Sequence, residues 1–111
     1  DQTDENLRFF PLRFMLELST FLGIRPSLPT KAEQKWFDLK EGQFTTQPPA
    51  HPLHLNEELS HTLQAVLQNQ DPTCTRQQRW MLLEKTIDYF RLRMEGFRGL
   101  NSHEVLHQVL H

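Results

Sequence analysis

The sequence predicts a mainly α fold: a small domain of about four helices around a central helix in the C-terminal half, with a short β-hairpin near residues 36–45. Three observations lead there. Between Thr75 and Met94, Trp80, Leu83, Ile87, Phe90 and Met94 recur at spacings of three and four, while Leu82, Tyr89 and Leu92 line nearly the opposite side. A helix apolar on two sides must sit between other elements, which makes this one the spine. Shorter helical patterns flank it, each with its own start and stop signals. A polar Lys40-Glu41-Gly42 turn lies between two short aromatic-bearing segments, which is the pattern of a hairpin.

The first helix is expected over Leu7–Leu22, starting close to Pro11 because an interior proline would cost about 3 kcal/mol. Leu7, Phe10, Phe14, Leu18 and Phe21 form its expected main stripe, with Phe9, Leu12 and Leu16 making much of the rest apolar too. Gly23 is the expected C-cap, and Pro26 and Pro29 forbid continuation. Trp36 to Thr45 forms the hairpin. Three prolines between Gln47 and Pro52 then exclude both helix and central strand. The second helix is expected over Glu57–Asn69, capped by Asn56, with two carboxylates where the helix dipole favours them. Its narrow stripe of Leu59, Leu63, Val66 and Leu67 suggests packing on one side only. Thr75 and Gln78 are spaced for a capping box at the head of the spine. Asn101 and Glu104 are spaced for another, opening a last helix whose Val105, Leu106, Val109 and Leu110 would dock onto the spine.

At 111 residues the chain is one domain at most. No apolar run approaches the roughly 20 residues of a membrane span, so no membrane role is expected. A chain opening on Asp1, just before a dense apolar helix, reads as a piece of a longer protein. The single Cys74 excludes an internal disulfide and a four-cysteine zinc site, and a lone thiol suits a reducing compartment such as the cytoplasm.

The formal charge of −2 hides a gradient. Gly42 to Thr75 contains no Lys or Arg, whereas Arg76 to Arg98 carries six basic residues against three acidic, a local excess of three. Arg79, Thr86 and Arg93 are seven residues apart and stack along one edge of the spine, and Arg98 in the following turn could extend that edge. The guanidinium fork suits phosphate or carboxylate, so Arg79, Arg93 and Arg98 are candidate contacts for nucleic acid or an acidic peptide. The plainer reading is a solvated helix edge with weak surface ion pairs. Trp36, Phe37, Phe44 and Phe97 lie outside the long stripes. Some would cover the core; others could form an apolar groove beside the arginines, suited to a peptide with acidic residues and one bulky apolar end.

Six histidines raise the question of metal. His103 and His107 are spaced i, i+4 with His111 a turn beyond, and His51, His54 and His61 surround the proline loop. A zinc site needs three or four ligands and a second shell, and the wheel turns the C-terminal histidines toward solvent. No metal site and no cofactor are expected. No glycine-rich phosphate loop, His-Glu-x-x-His or Gly-x-Ser-x-Gly motif occurs, so the reading is of a non-enzyme.

Several stretches carry a resemblance. Tyr89-Phe-Arg-Leu-Arg-Met-Glu-Gly-Phe97, followed by Leu100-Asn-Ser-His-Glu-Val-Leu106, resembles the closing signature of the bacterial DNA repair protein RecO in its Bacteroidetes form. Phe14-Met-Leu-Glu-Leu-Ser-Thr-Phe-Leu-Gly-Ile-Arg-Pro26 is similar to the helix that precedes that family's zinc-ribbon region, and Trp36 to Phe44 and His51-Pro52 match in kind and order. The resemblance implies a DNA repair and recombination mediator. Such proteins bind single- and double-stranded DNA, anneal strands, associate with RecR, engage the acidic tail of single-stranded DNA-binding protein and help load RecA, in the cytoplasm at the nucleoid. It also implies an N-terminal OB-fold that this chain lacks, so residues 1–111 would be the C-terminal helical domain, with weak DNA binding by itself. Many members carry two C-x-x-C pairs before the proline loop. Here there are none, and Trp36, Phe37 and Phe44 would have to hold the hairpin instead of zinc. The alternative is a stand-alone helical protein-interaction module with no nucleic-acid role.

Overall fold

The computed structural model describes residues 8–94. In order these form helix α1 (Phe10–Phe21), strands β1 (Trp36–Asp38) and β2 (Gln43–Thr45), helix α2 (Glu57–Leu67) and helix α3 (Arg76–Met94). The architecture is mainly α with a small antiparallel hairpin, as the sequence indicates. The expected fourth helix, from Asn101 or Ser102 onward, lies outside the described residues, as does Leu7.

Helix α1 places Pro11 in its first turn, where a missing N–H leaves no broken bond. Its end is a Schellman motif. Gly23 takes φ +77°, its N–H donates to Thr20 O at 3.1 Å, and the Ile24 N–H donates to Ser19 O at 2.8 Å. The core-facing side is not the expected one. Phe9, Leu12, Met15, Leu16 and Ser19 are buried, whereas Phe10, Phe14 and Phe21 are 57%, 41% and 88% exposed. On a helical wheel those three aromatics lie about 180° from Leu12. Apolar residues surround this helix, so its pattern alone fits either face. Ser19 can lie on the buried face because its hydroxyl folds back onto Leu16 O at 2.6 Å.

The hairpin pairs Phe37 with Phe44, their ring centroids 5.0 Å apart, and Phe37 lies 5.8 Å from the Tyr89 ring of α3. Its turn closes at Gly42, where φ is +72°. Asp38 organises that turn: one carboxylate oxygen accepts from the N–H groups of Lys40 and Glu41 at 2.9 and 3.1 Å. The proline loop returns along the other edge of β1, with Leu55 N–H donating to Phe37 O and Leu39 N–H to Leu53 O. His51 ties the loop down. Its Nδ1 accepts from the Leu53 N–H, so Nε2 carries the proton and donates to Asp38 at 3.1 Å. The hairpin is therefore held by buried Phe37 and Phe44 and by the Asp38–His51 link, while Trp36 is only half-buried.

Helix α2 starts where Asn56 accepts the Leu59 N–H at 2.8 Å. It is buried on more than the one expected side: Ser60, Thr62 and Ala65 are covered along with the leucine stripe. The hairpin explains the difference. Ser60 Oγ accepts the Phe37 N–H at 2.9 Å and donates to Leu55 O, so a polar residue becomes the bolt between α2 and β1.

Helix α3 opens on the expected capping box, Thr75 N–H to Gln78 Oε1 at 2.8 Å and Gln78 N–H to Thr75 Oγ1 at 3.0 Å. It packs against α1, α2 and Phe37 of the hairpin, with Leu82 and Phe90 completely buried and Tyr89 nearly so. Both predicted sides contribute, yet unequally. Trp80 is 53% exposed and Leu83 and Ile87 are half-buried.

Candidate functional site

The wheel edge Arg79–Thr86–Arg93 is not one continuous surface. Thr86 is buried, its hydroxyl donating to Leu82 O at 2.8 Å. The two arginines are separated by about 21 Å of helix. They belong to two different places. Arg98 lies outside the described residues.

Arg79 stands at the head of α3, on the rim of a cleft of about 230 Å³ between that helix and the start of α1. Phe9, Pro11, Leu12 and Leu83 form the apolar floor, Trp80 one wall, and Arg8, Arg76 and Arg79 the charged rim. None of the three arginines forms an ion pair among the described residues, whereas Arg13 is paired with Asp71 at 2.5 Å and Arg91 with Asp88 at 3.6 Å. The groove expected from Trp36, Phe37, Phe44 and Phe97 is not what lies here; this cleft is made from other residues. Phe37 and Phe44, expected candidates for it, are core, and Phe97 is outside the described residues. Arg8, Phe9, Pro11 and Arg76 were missed. Their signal was available in part: Arg76, Arg79, Trp80 and Leu83 are spaced three and four apart on one face. The contribution of α1 was not, since it depends on which side of that helix turns inward.

Arg93 sits at the other end of α3, beneath the hairpin turn. Its guanidinium lies 5.5 Å from the Tyr89 ring centroid and abuts Gly42, whose missing side chain leaves the room. The Tyr89 hydroxyl donates to Ile24 O, linking α3 to the end of α1. Burial pushes the Tyr89 phenol above its ordinary 10.0, and the nearby Arg93 charge and hydrogen bond partly offset that. The Arg93 Nε is buried with no hydrogen-bond partner among the described residues.

The histidines divide by location. His51 is committed to Asp38 and Leu53, His54 Nδ1 donates to His51 O at 2.8 Å, and His61 lies apart on the exposed side of α2. Cys74 is half-buried against the core. No helix among the described residues is long and apolar enough to cross a membrane.

Against known proteins, no family model matches the chain. No solved structure matches either. Curated sequences do. The chain is 28% identical over 111 residues to DNA repair protein RecO of Azobacteroides pseudotrichonymphae, covering 96% of this chain and 46% of that protein. It is 28% identical over 114 residues to DNA repair protein RecO of Phocaeicola vulgatus, covering 98% and 47%. A third relative, DNA repair protein RecO of Bacteroides fragilis, is 29% identical over 106 residues, covering 90% and 44%. The chain spans a little under half the length of these relatives. Matched almost from end to end by proteins of one name, and carrying the closing and opening motifs in their order, the chain is RecO-like.

Proposed function

We propose that this chain is the C-terminal helical domain of a RecO-like DNA repair and recombination mediator, and that it acts by binding rather than by catalysis. The reading extends to the whole protein a role in strand annealing and RecA loading, with DNA, RecR and single-stranded DNA-binding protein as partners, in the cytoplasm at the nucleoid. Within this domain, the arginine-rimmed cleft receives an acidic peptide that ends in a bulky apolar side chain, such as the tail of single-stranded DNA-binding protein.

The observation that carries this is the cleft itself. Three arginines with no ion pair among the described residues surround an apolar floor of Phe9, Leu12 and Leu83 beside exposed Trp80. The floor would take the apolar end, and the rim would pair with carboxylates by charge-assisted hydrogen bonds. Bare phosphate contacts would need no such floor.

The test is a titration of a labelled acidic peptide ending in Phe, followed by polarisation and by Trp80 emission. Removing the terminal Phe should weaken binding about tenfold or more, the value of one well-buried aromatic. Arg79→Gln with Arg76→Gln should weaken it and flatten its salt dependence. Full affinity without the Phe would sink the cleft assignment. A labelled oligonucleotide serves as the second ligand. Binding that falls steeply with salt supports DNA contact by this domain, since counterion release sets the slope.

A further inference from the structure

Arg93 is held firmly yet left chemically incomplete. Its guanidinium stacks on Tyr89, hydrogen-bonds the Tyr89 hydroxyl and presses on Gly42, but among the described residues it forms no ion pair and its Nε has no partner. A buried guanidinium N–H without an acceptor is unfavourable, so such an atom calls for an oxygen ligand. Beside it lies a pocket of about 210 Å³, lined by Gly23, Arg25, Ser27, Glu41, Gly42 and Gln43. Arg25 adds a second positive charge, although its own donors are engaged by Leu16 O, Thr20 Oγ1 and Leu67 O.

We propose that this pocket is a single-phosphate site, with the Arg93 guanidinium as its main ligand and the Ser27 hydroxyl as a second donor. It is independent of the peptide cleft, about 21 Å of helix away. Its walls are polar where those of the cleft are apolar, so nothing here would hold a hydrophobic side chain, and a compact oxyanion fits better than a peptide end. The planar fork of arginine matches two phosphate oxygens at once. Glu41 opposes the anion, which makes the site weak and dependent on the position of that side chain. The phosphate could be free or part of a nucleic-acid backbone.

The experiment follows the backbone amide signals of the 111-residue chain during titration with inorganic phosphate at constant ionic strength. The expected result is saturable shifts at Gly23, Ser27, Gly42 and Gln43. Arg93→Gln should weaken the binding about tenfold or more, Arg93→Lys several-fold because charge survives and the fork does not, and Arg79→Gln not at all. Glu41→Gln should strengthen it. A short oligothymidylate then distinguishes the sources: shifts at the same amides assign the phosphate to a strand, and their absence beside a phosphate response assigns it to a free anion. Shifts that never saturate, or that persist unchanged in both Arg93 variants, overturn the proposal. So does a Glu41→Gln chain that melts lower and binds no better, since Glu41 would then be the partner of Arg93.

Discussion

Replacing Gly42 by alanine tests whether the hairpin turn and the long helix are one mechanical unit. Both Gly23 and Gly42 hold a left-handed backbone, at φ +77° and +72°. Either substitution should therefore cost about 1 kcal/mol from backbone strain alone. The surroundings differ. A Cβ at Gly23 meets nothing within 4 Å, whereas one at Gly42 collides with the Arg93 Nη2 and comes within 3.3 Å of the Tyr89 hydroxyl. Arg93 can move, since the clash is with the far end of its side chain, but moving lifts it from the Tyr89 ring at a cost of about 1 kcal/mol. Gly42→Ala should thus lose about 2 kcal/mol and Gly23→Ala about 1. Urea denaturation followed by the emission of Trp36 and Trp80 measures both, and each kcal/mol should lower Tm by about 4–8 °C. In an Arg93→Gln background the gap between the two glycine variants should close. Equal costs in the native background, or a gap that survives Arg93→Gln, would refute the proposed contact.

Further outcomes follow from other elements. Tyr89 is the single tyrosine of the chain, so absorbance at 295 nm reports it alone; its midpoint should lie above 10.0, because burial disfavours the phenolate. A phenol whose folded pKa is raised stabilises the fold fully below pH 10 and loses that contribution as pH climbs toward the folded value, so stability should fall above pH 10 and Tyr89→Phe should remove that slope. A midpoint at or below 10.0 in the folded chain would contradict the burial. Asp38→Ala strands the N–H groups of Lys40 and Glu41 and the His51 proton, and should cost about 1–3 kcal/mol in the same denaturation assay, with hairpin amides losing exchange protection first. Met15→Ala should cost about 2–5 kcal/mol, whereas Phe21→Ser should stay within about 0.5 kcal/mol; the reverse order would mean that α1 presents its other face to the core.

Much of the scaffold was legible because its signals are local. The capping boxes and caps at Asn56 and Thr75, the proline at the head of α1, the glycine at its end and the Gly42 turn each follow from side-chain chemistry within a few residues. The motif order that marks the chain as RecO-like is equally a property of the linear sequence. Facing was another matter. Phe10, Phe14 and Phe21 look like a core stripe until the fold turns Met15 and Ser19 inward, and Ser60 looks exposed until the hairpin claims its hydroxyl. The arginines show the same division. Sequence selected Arg79 and Arg93 by their spacing on one edge, but burial of Thr86 divides that edge into two separate places, and Arg8 and Phe9 join Arg79 only because the start of α1 and the head of α3 line one cleft.

By itself, then, the sequence determined where helices and turns begin and end, and which family motifs occur in which order, because those depend on neighbours along the chain. The tertiary structure decided which apolar face is buried and which charges share a surface. Those outcomes are set by competition between surfaces distant in sequence, and a helix apolar all round carries no local instruction about which side wins.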